Sequence, residues 1–148
     1  MIRYKTIWIA VADGARARFF RSNPGGTRIE PALEVELVAD KRPAREMVTD
    51  RPGRTKDRMA HGRHAMEPST DPHVQAQINF AHDIAGVLDE HRKKGDFDEL
   101  IIVAPPKMLG YLRDVMPEPL RRMVRREEAK DLTRLSPAEL PKRLAALV

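Results

Sequence analysis

Three observations predict an α/β fold, a single domain over residues 1–148 in which helices pack on a five-stranded mixed sheet in the order βββ-loop-αβαβα. Apolar runs and alternations at the start of the chain are broken by Asp-Gly and Pro-Gly-Gly turn signals, the mark of consecutive antiparallel strands. Residues 74–88 switch to a helical period of three and four. Leu100, Ile101, Ile102, Val103 and Ala104 then run without a polar residue, as a central strand covered on both faces requires.

The first strand is Ile7-Trp8-Ile9-Ala10-Val11-Ala12, closed by Asp13-Gly14. That pair is turn chemistry, with Gly14 free to take positive φ. Ala15, Ala17 and Phe19 alternate with Arg16, Arg18 and Phe20 in a second strand with one wetter side. Ser22-Asn23-Pro24-Gly25-Gly26 turns the chain into a third strand over residues 28–38, carried by Ile29, Leu33, Val35 and Leu37. Asp71 caps a long helix with Pro72 at its first position, and Val74, Ile78, Ala81, Ala85 and Leu88 form its buried face. Gly95 ends it. After the central strand, Pro105-Pro106 opens a shorter helix through Met108, Leu109, Leu112, Val115 and Met116. Residues 120–132 have helical composition, but Pro117 and Pro119 precede them and their apolar content is thin, so they are assigned to an exposed edge strand. Ser136-Pro137-Ala138-Glu139 is a capping box for a last helix that buries Leu140, Leu144 and Leu147.

Charge is distributed far less evenly than the apolar residues. Residues 41–64 hold Lys41, Arg42, Arg45, Arg51, Arg54, Lys56, Arg58 and Arg63 against Glu46, Asp50 and Asp57. The segment carries +5, the whole formal charge of the chain, since the other residues balance at 19 basic and 19 acidic. With Pro43, Pro52, Gly53 and Gly62 and no apolar period, a flexible loop over about residues 41–70 is expected. A merely solvated loop is the bland explanation. Concentration of the excess in one insertion favours an anionic partner instead.

The chain has no cysteine, which excludes a disulfide framework and any Cys-ligated zinc or iron–sulfur site. Its N-terminal apolar run of six residues is shorter than the roughly 7–15 of a secretory core or the ~20 of a membrane helix. A cytoplasmic location with no membrane partner is expected.

The segments Ala12-Asp13-Gly14-Ala15-Arg16-Ala17-Arg18-Phe19-Phe20, Val103-Ala104-Pro105-Pro106-Lys107-Met108-Leu109-Gly110-Tyr111-Leu112-Arg113 and Lys130-Asp131-Leu132-Thr133 together resemble the bacterial host attachment proteins, in order and over nearly the whole length. That family is similar in fold to the middle domain of archaeal and eukaryotic peptide-release factors and of Pelota. The resemblance implies the same five-stranded mixed sheet, with strand status for residues 120–132. Release factors carry Gly-Gly-Gln in the loop before the long helix. The corresponding loop here lacks it, and Gly25-Gly26 is followed by Thr27 in a hairpin turn. Peptide-release catalysis therefore does not transfer. A basic loop remains where relatives approach ribosomal RNA.

The expected function is non-enzymatic: a cytoplasmic RNA- or ribosome-associated protein, with ribosomal or other structured RNA as partner. Arg51, Arg54, Lys56, Arg58 and Arg63 would be phosphate ligands, Gly53 and Gly62 hinges, and His61 and His64 auxiliary donors. The loop has no aromatic residue for base stacking, which favours phosphate contacts over sequence reading. Lys107 and Arg113 are secondary candidates at the carboxyl end of the central strand, where α/β sheets bind ligands. His61, His64 and His73 lack the carboxylate spacing of a metal site, and no cofactor or metal is expected. The competing class is a protein–protein adaptor with an acidic partner and an indirect role in attachment. Arg121, Arg122, Arg125, Arg126 and Lys130 along the edge strand are an anti-aggregation device, so a monomer is expected.

Overall fold

The computed structural model describes residues 5–22, 28–39 and 71–148. Its centre is β1 (Ile7–Ala12), buried at every position, which hydrogen-bonds antiparallel to β2 (Arg16–Ser22) and parallel to β5 (Glu99–Ala104). The sheet runs β3-β2-β1-β5-β6, where β3 is Ile29–Pro31 and β6 is Val124–Ala129, and β4 (Leu37–Val38) also pairs with β2. Alternation along β1 and β5 divides their side chains between two cores. Trp8, Ala10, Ala12, Leu100, Ile102 and Ala104 face α1 (Pro72–Lys93), α2 (Pro106–Val115) and α3 (Glu118–Arg121). Ile7, Ile9, Val11, Ile101 and Val103 face α4 (Leu140–Ala145) through Leu140, Leu144 and Leu147. Helices cover both faces, which explains why the two central strands have no polar side.

The ends of α1 follow its sequence signals. The Asp71 carboxylate accepts the His73 N–H at 2.7 Å. At the other end Gly95, with φ +76°, donates to the Arg92 carbonyl and Asp96 donates to that of His91, a Schellman closure that requires the left-handed residue. Asp96 also bonds the His91 ring at 2.7 Å, and that ring lies 4.8 Å from the ring of buried Trp8. The buried face of α1 is Phe80, Ala81, Ile84, Ala85 and Leu88, whereas Val74 and Ile78 are only half-buried. The apolar period therefore begins before the helix reaches the sheet.

Three expectations are corrected in detail. The third strand is two short pieces, because the chain bends away at residues 32–35 after Pro31, leaving Val35 78% exposed. The first part of residues 120–132 belongs to the turn of helix α3, which the prolines begin rather than prevent, so the edge strand is only β6. Finally, α4 starts at Leu140 rather than Pro137: Ser136 Oγ accepts the Glu139 N–H at 3.2 Å, but Pro141 has no N–H to extend the ladder back.

Arginines on and beside β6 have acid partners. Arg125 bonds Glu99 at 3.3 Å, Arg126 bonds Glu128 at 2.6 Å, and Arg121 and Arg122 both bond Glu118. Such exposed pairs add little stability. They do neutralise that edge.

Candidate functional site at the carboxyl edge of the sheet

β1, β5 and β6 are mutually parallel, so their last residues Ala12, Ala104 and Ala129 end at one edge. The segments that carried the family resemblance lead away from that edge: the Asp13 turn, the Pro105-Pro106-Lys107 entry to α2, and Lys130-Asp131-Leu132-Thr133. The first turns of α1 reach it as well. Between these segments lie two adjoining cavities of ≈ 450 and ≈ 470 Å³ that share Gly14, Gln77 and Pro105. Pro106, Lys107 and Met108 complete the first, and Asp13, Ala15, His73, Ala76 and Asp131 complete the second.

Asp13 organises the turn. Its Oδ1 accepts the N–H groups of Ala15 and Arg16 at 2.7 and 2.8 Å. Its Oδ2 lies 2.8 Å from the hydroxyl of Thr133, which is 1% exposed and also lies 2.6 Å from Asp131 Oδ1. With a single proton, that hydroxyl donates to one carboxylate at a time. Arg18 bonds the Thr133 carbonyl at 3.2 Å and Glu36 at 3.1 Å. Through these contacts the β1–β2 turn holds the chain that leaves β6. Gly14 does not take positive φ. Among the described residues Gly95 alone does, because the Asp13 carboxylate satisfies a turn that needs no left-handed residue. What Gly14 supplies is room: a Cβ there would stand 3.2 Å from the Gln77 side chain.

Burial opposes ionisation of Asp13, but hydrogen bonds from Ala15, Thr133 and Arg16, with the Arg16 charge, outweigh it and hold the carboxyl below the usual aspartate range. A depressed folded-state pKa contributes stability that is present above the unfolded value, about 3.9, and is lost as pH falls through the folded value. Asp13→Ala should therefore destabilise by about 2 kcal/mol at neutral pH. It should also lessen the loss of stability below about pH 4. Thermal melts across pH that superimpose for parent and variant would refute this role.

The loop candidates Arg51, Gly53, Arg54, Lys56, Arg58, His61, Arg63 and His64 lie outside the described residues. Lys107 is exposed in the first cavity. Arg113 points elsewhere: its Nε bonds Glu127 on β6 at 2.8 Å, and that bond and charge hold its pKa above the ordinary guanidinium value. The two rim candidates are not brought together. Sequence reasoning missed Gln77, Asp131 and Thr133 as site residues. Thr133 and Asp131 carried a signal, the Asp-x-Thr spacing in a family segment, but Gln77 sits off the apolar period and carried none.

Among the described residues Lys107, Lys130, Arg134, Lys142 and Arg143 make no ion pair or side-chain hydrogen bond. Lys107 and Lys130 follow the carboxyl ends of β5 and β6, and Arg134 follows Thr133. The basic segment is rooted at the same edge: the Ala39 N–H donates to the Ala15 carbonyl at 2.8 Å, and Asp71 caps α1 two residues before His73 of the second cavity. Among the described residues, no three His, Cys, Asp or Glu side chains are grouped to hold a metal ion, and no helix is long and apolar enough to cross a membrane.

Among solved structures, the chain is similar to the crystal structure of the archaeal translation termination factor aRF1, at 12% identity and a TM-score of 0.47. The match covers 96% of this chain and 38% of that factor, so the chain spans well under half of its length. No curated protein sequence matches the chain. A family model described as "protein required for attachment to host cells" matches residues 8–144, including the Asp13 turn, the entry to α2 and the Asp131-to-Thr133 segment, and the chain belongs to that family.

Proposed function

We propose that this chain is a non-enzymatic, cytoplasmic RNA-binding protein that grips phosphates at the carboxyl edge of its sheet. One observation carries this: Ala39 and Asp71, the described residues that flank the +5 segment, lie at the edge where Lys107, Lys130 and Arg134 have no acid partner among the described residues. Along β6, by contrast, Arg125 and Arg126 are matched by acids. Cations at that edge, with a +5 segment whose flanks lie there, would attract a polyanion. The family's attachment role would then be indirect, through RNA or ribosomes. Binding to structured RNA and to ribosomes should be tight at low salt and fall steeply as salt rises, since each phosphate contact releases a counterion. Co-sedimentation across a salt series tests this. No pelleting with ribosomes or RNA at low salt would overturn it.

A second reading rests on a different surface. A cavity of ≈ 320 Å³ has an apolar lining that includes Phe20, Leu33 and Val35, with Arg18, Glu34 and Glu36 also on its wall. Val35 and Val38, the exposed large hydrophobics among the described residues, border it or lie close by in the chain. Clustered exposed apolar residues favour a protein adaptor. Partners that persist after nuclease treatment would support the adaptor over the RNA reading.

A further inference from the structure

The geometry of the two cavities points to a pocket for one unstacked nucleotide of single-stranded RNA whose base carries an exocyclic amino group; this rests on the RNA reading above. The cavities meet at Gly14, Gln77 and Pro105, and their chemistry differs on either side. One side offers Lys107, without an ion partner among the described residues, and the apolar surfaces of Pro106 and Met108. The other offers Asp131. A ligand that spans both needs an anionic end for the ammonium and a hydrogen-bond-donating end for the carboxylate. Inorganic phosphate meets only the first demand, and a polyamine only the second. A nucleotide meets both, with its base laid over the prolines.

Asp131 and Gln77 would read that base. The Asp13 oxygens already accept from Ala15, Arg16 and Thr133. Among the described residues Asp131 is engaged only through Oδ1, by the Thr133 N–H at 3.1 Å and by the Thr133 hydroxyl that it shares with Asp13, so its Oδ2 remains to accept an amino group. Gln77 is half-buried, packs over Gly14 and makes no side-chain hydrogen bond among the described residues. Its amide offers both a donor and an acceptor to a base edge. Cytosine, adenine and guanine can donate an amino hydrogen to Asp131. Uracil would present a carbonyl oxygen to the carboxylate instead, a contact between two acceptors.

Fluorescence anisotropy with labelled oligocytidine and oligouridine, measured on the full chain at low salt, decides this. Oligocytidine is expected to bind about tenfold more tightly. Gln77→Ala and Asp131→Asn should each shrink that preference, with folding checked by thermal melting. The first should do so by weakening oligocytidine binding and the second also by raising oligouridine affinity, since the new amide can donate to the uracil oxygen. Gln77→Ala is a helix-surface change that keeps the test decisive if the Asp131 variant unfolds. Competition by free cytidine monophosphate would support the pocket with a mononucleotide as ligand, and its failure beside a retained oligocytidine preference would support a base within a strand. Equal affinity for the two oligomers in the parent overturns the pocket and leaves the phosphate reading standing. No binding of either oligomer overturns both.

Discussion

A chain in which residues 42–68 are replaced by a short Gly/Ser linker is expected to melt within about 5 °C of the parent and to lose its RNA affinity. Stability should survive because the described core is built without the segment: its buried residues lie on β1–β3, β5, the helices and their adjoining turns. The flanks are held independently, by the Ala39–Ala15 bond and by the Asp71 cap. Loop closure adds little, since halving a loop changes its entropy cost by only about 0.6 kcal/mol. Affinity should collapse because Arg51, Arg54, Lys56, Arg58 and Arg63 leave together. At roughly 0.7 per phosphate contact, the slope of log affinity against log salt should fall by about 3.5. An unfolded deletion variant would show that the segment packs on the sheet, and its charge would lose its functional explanation.

Phe80→Ala is expected to destabilise the fold by about 3–5 kcal/mol, a large share of the 5–15 kcal/mol typical of a domain. Phe80 is 1% exposed and belongs to the core between α1 and the sheet, where a lost ring leaves a cavity that rigid neighbours fill only partly. Val74→Ala, on the same helix but half-buried beyond the sheet, should cost less than about 1 kcal/mol. Denaturant titration separates the two. Equal midpoint shifts would mean that the apolar face of α1 is not the one described.

The α/β class and most elements were legible because each had a local cause. Turn residues ended β1, Asp71 and Gly95 bracketed α1, and the unbroken apolar run of β5 announced cover on both faces. The misplaced boundaries lie where long-range contacts decide. Nothing local says that Val35 faces solvent while Leu37 pairs with Ala17, or that α1 runs past the sheet before Phe80. The carboxyl edge was not legible as a place. Asp13, Gln77 and Thr133 are distant in sequence and meet only because parallel pairing of β1, β5 and β6 brings their carboxyl ends to one edge. A helix residue such as Gln77 gives no sign of what it will overhang.

That parallel pairing also sets a schedule for assembly. β1 is buried along its full length, yet Ile7 pairs with Glu99 and Val11 with Val103, so its second partner emerges from the ribosome only after most of the chain is made. Until then β1 is paired only through β2, itself flanked by the short β3 and β4, and one edge of β1 stays open. Pairing across so long a separation is slow, and unpaired strand edges are vulnerable to association while they wait. Completion of β5 closes that open edge, and the face of Ile7, Ile9 and Val11 waits longer still, until α4 follows.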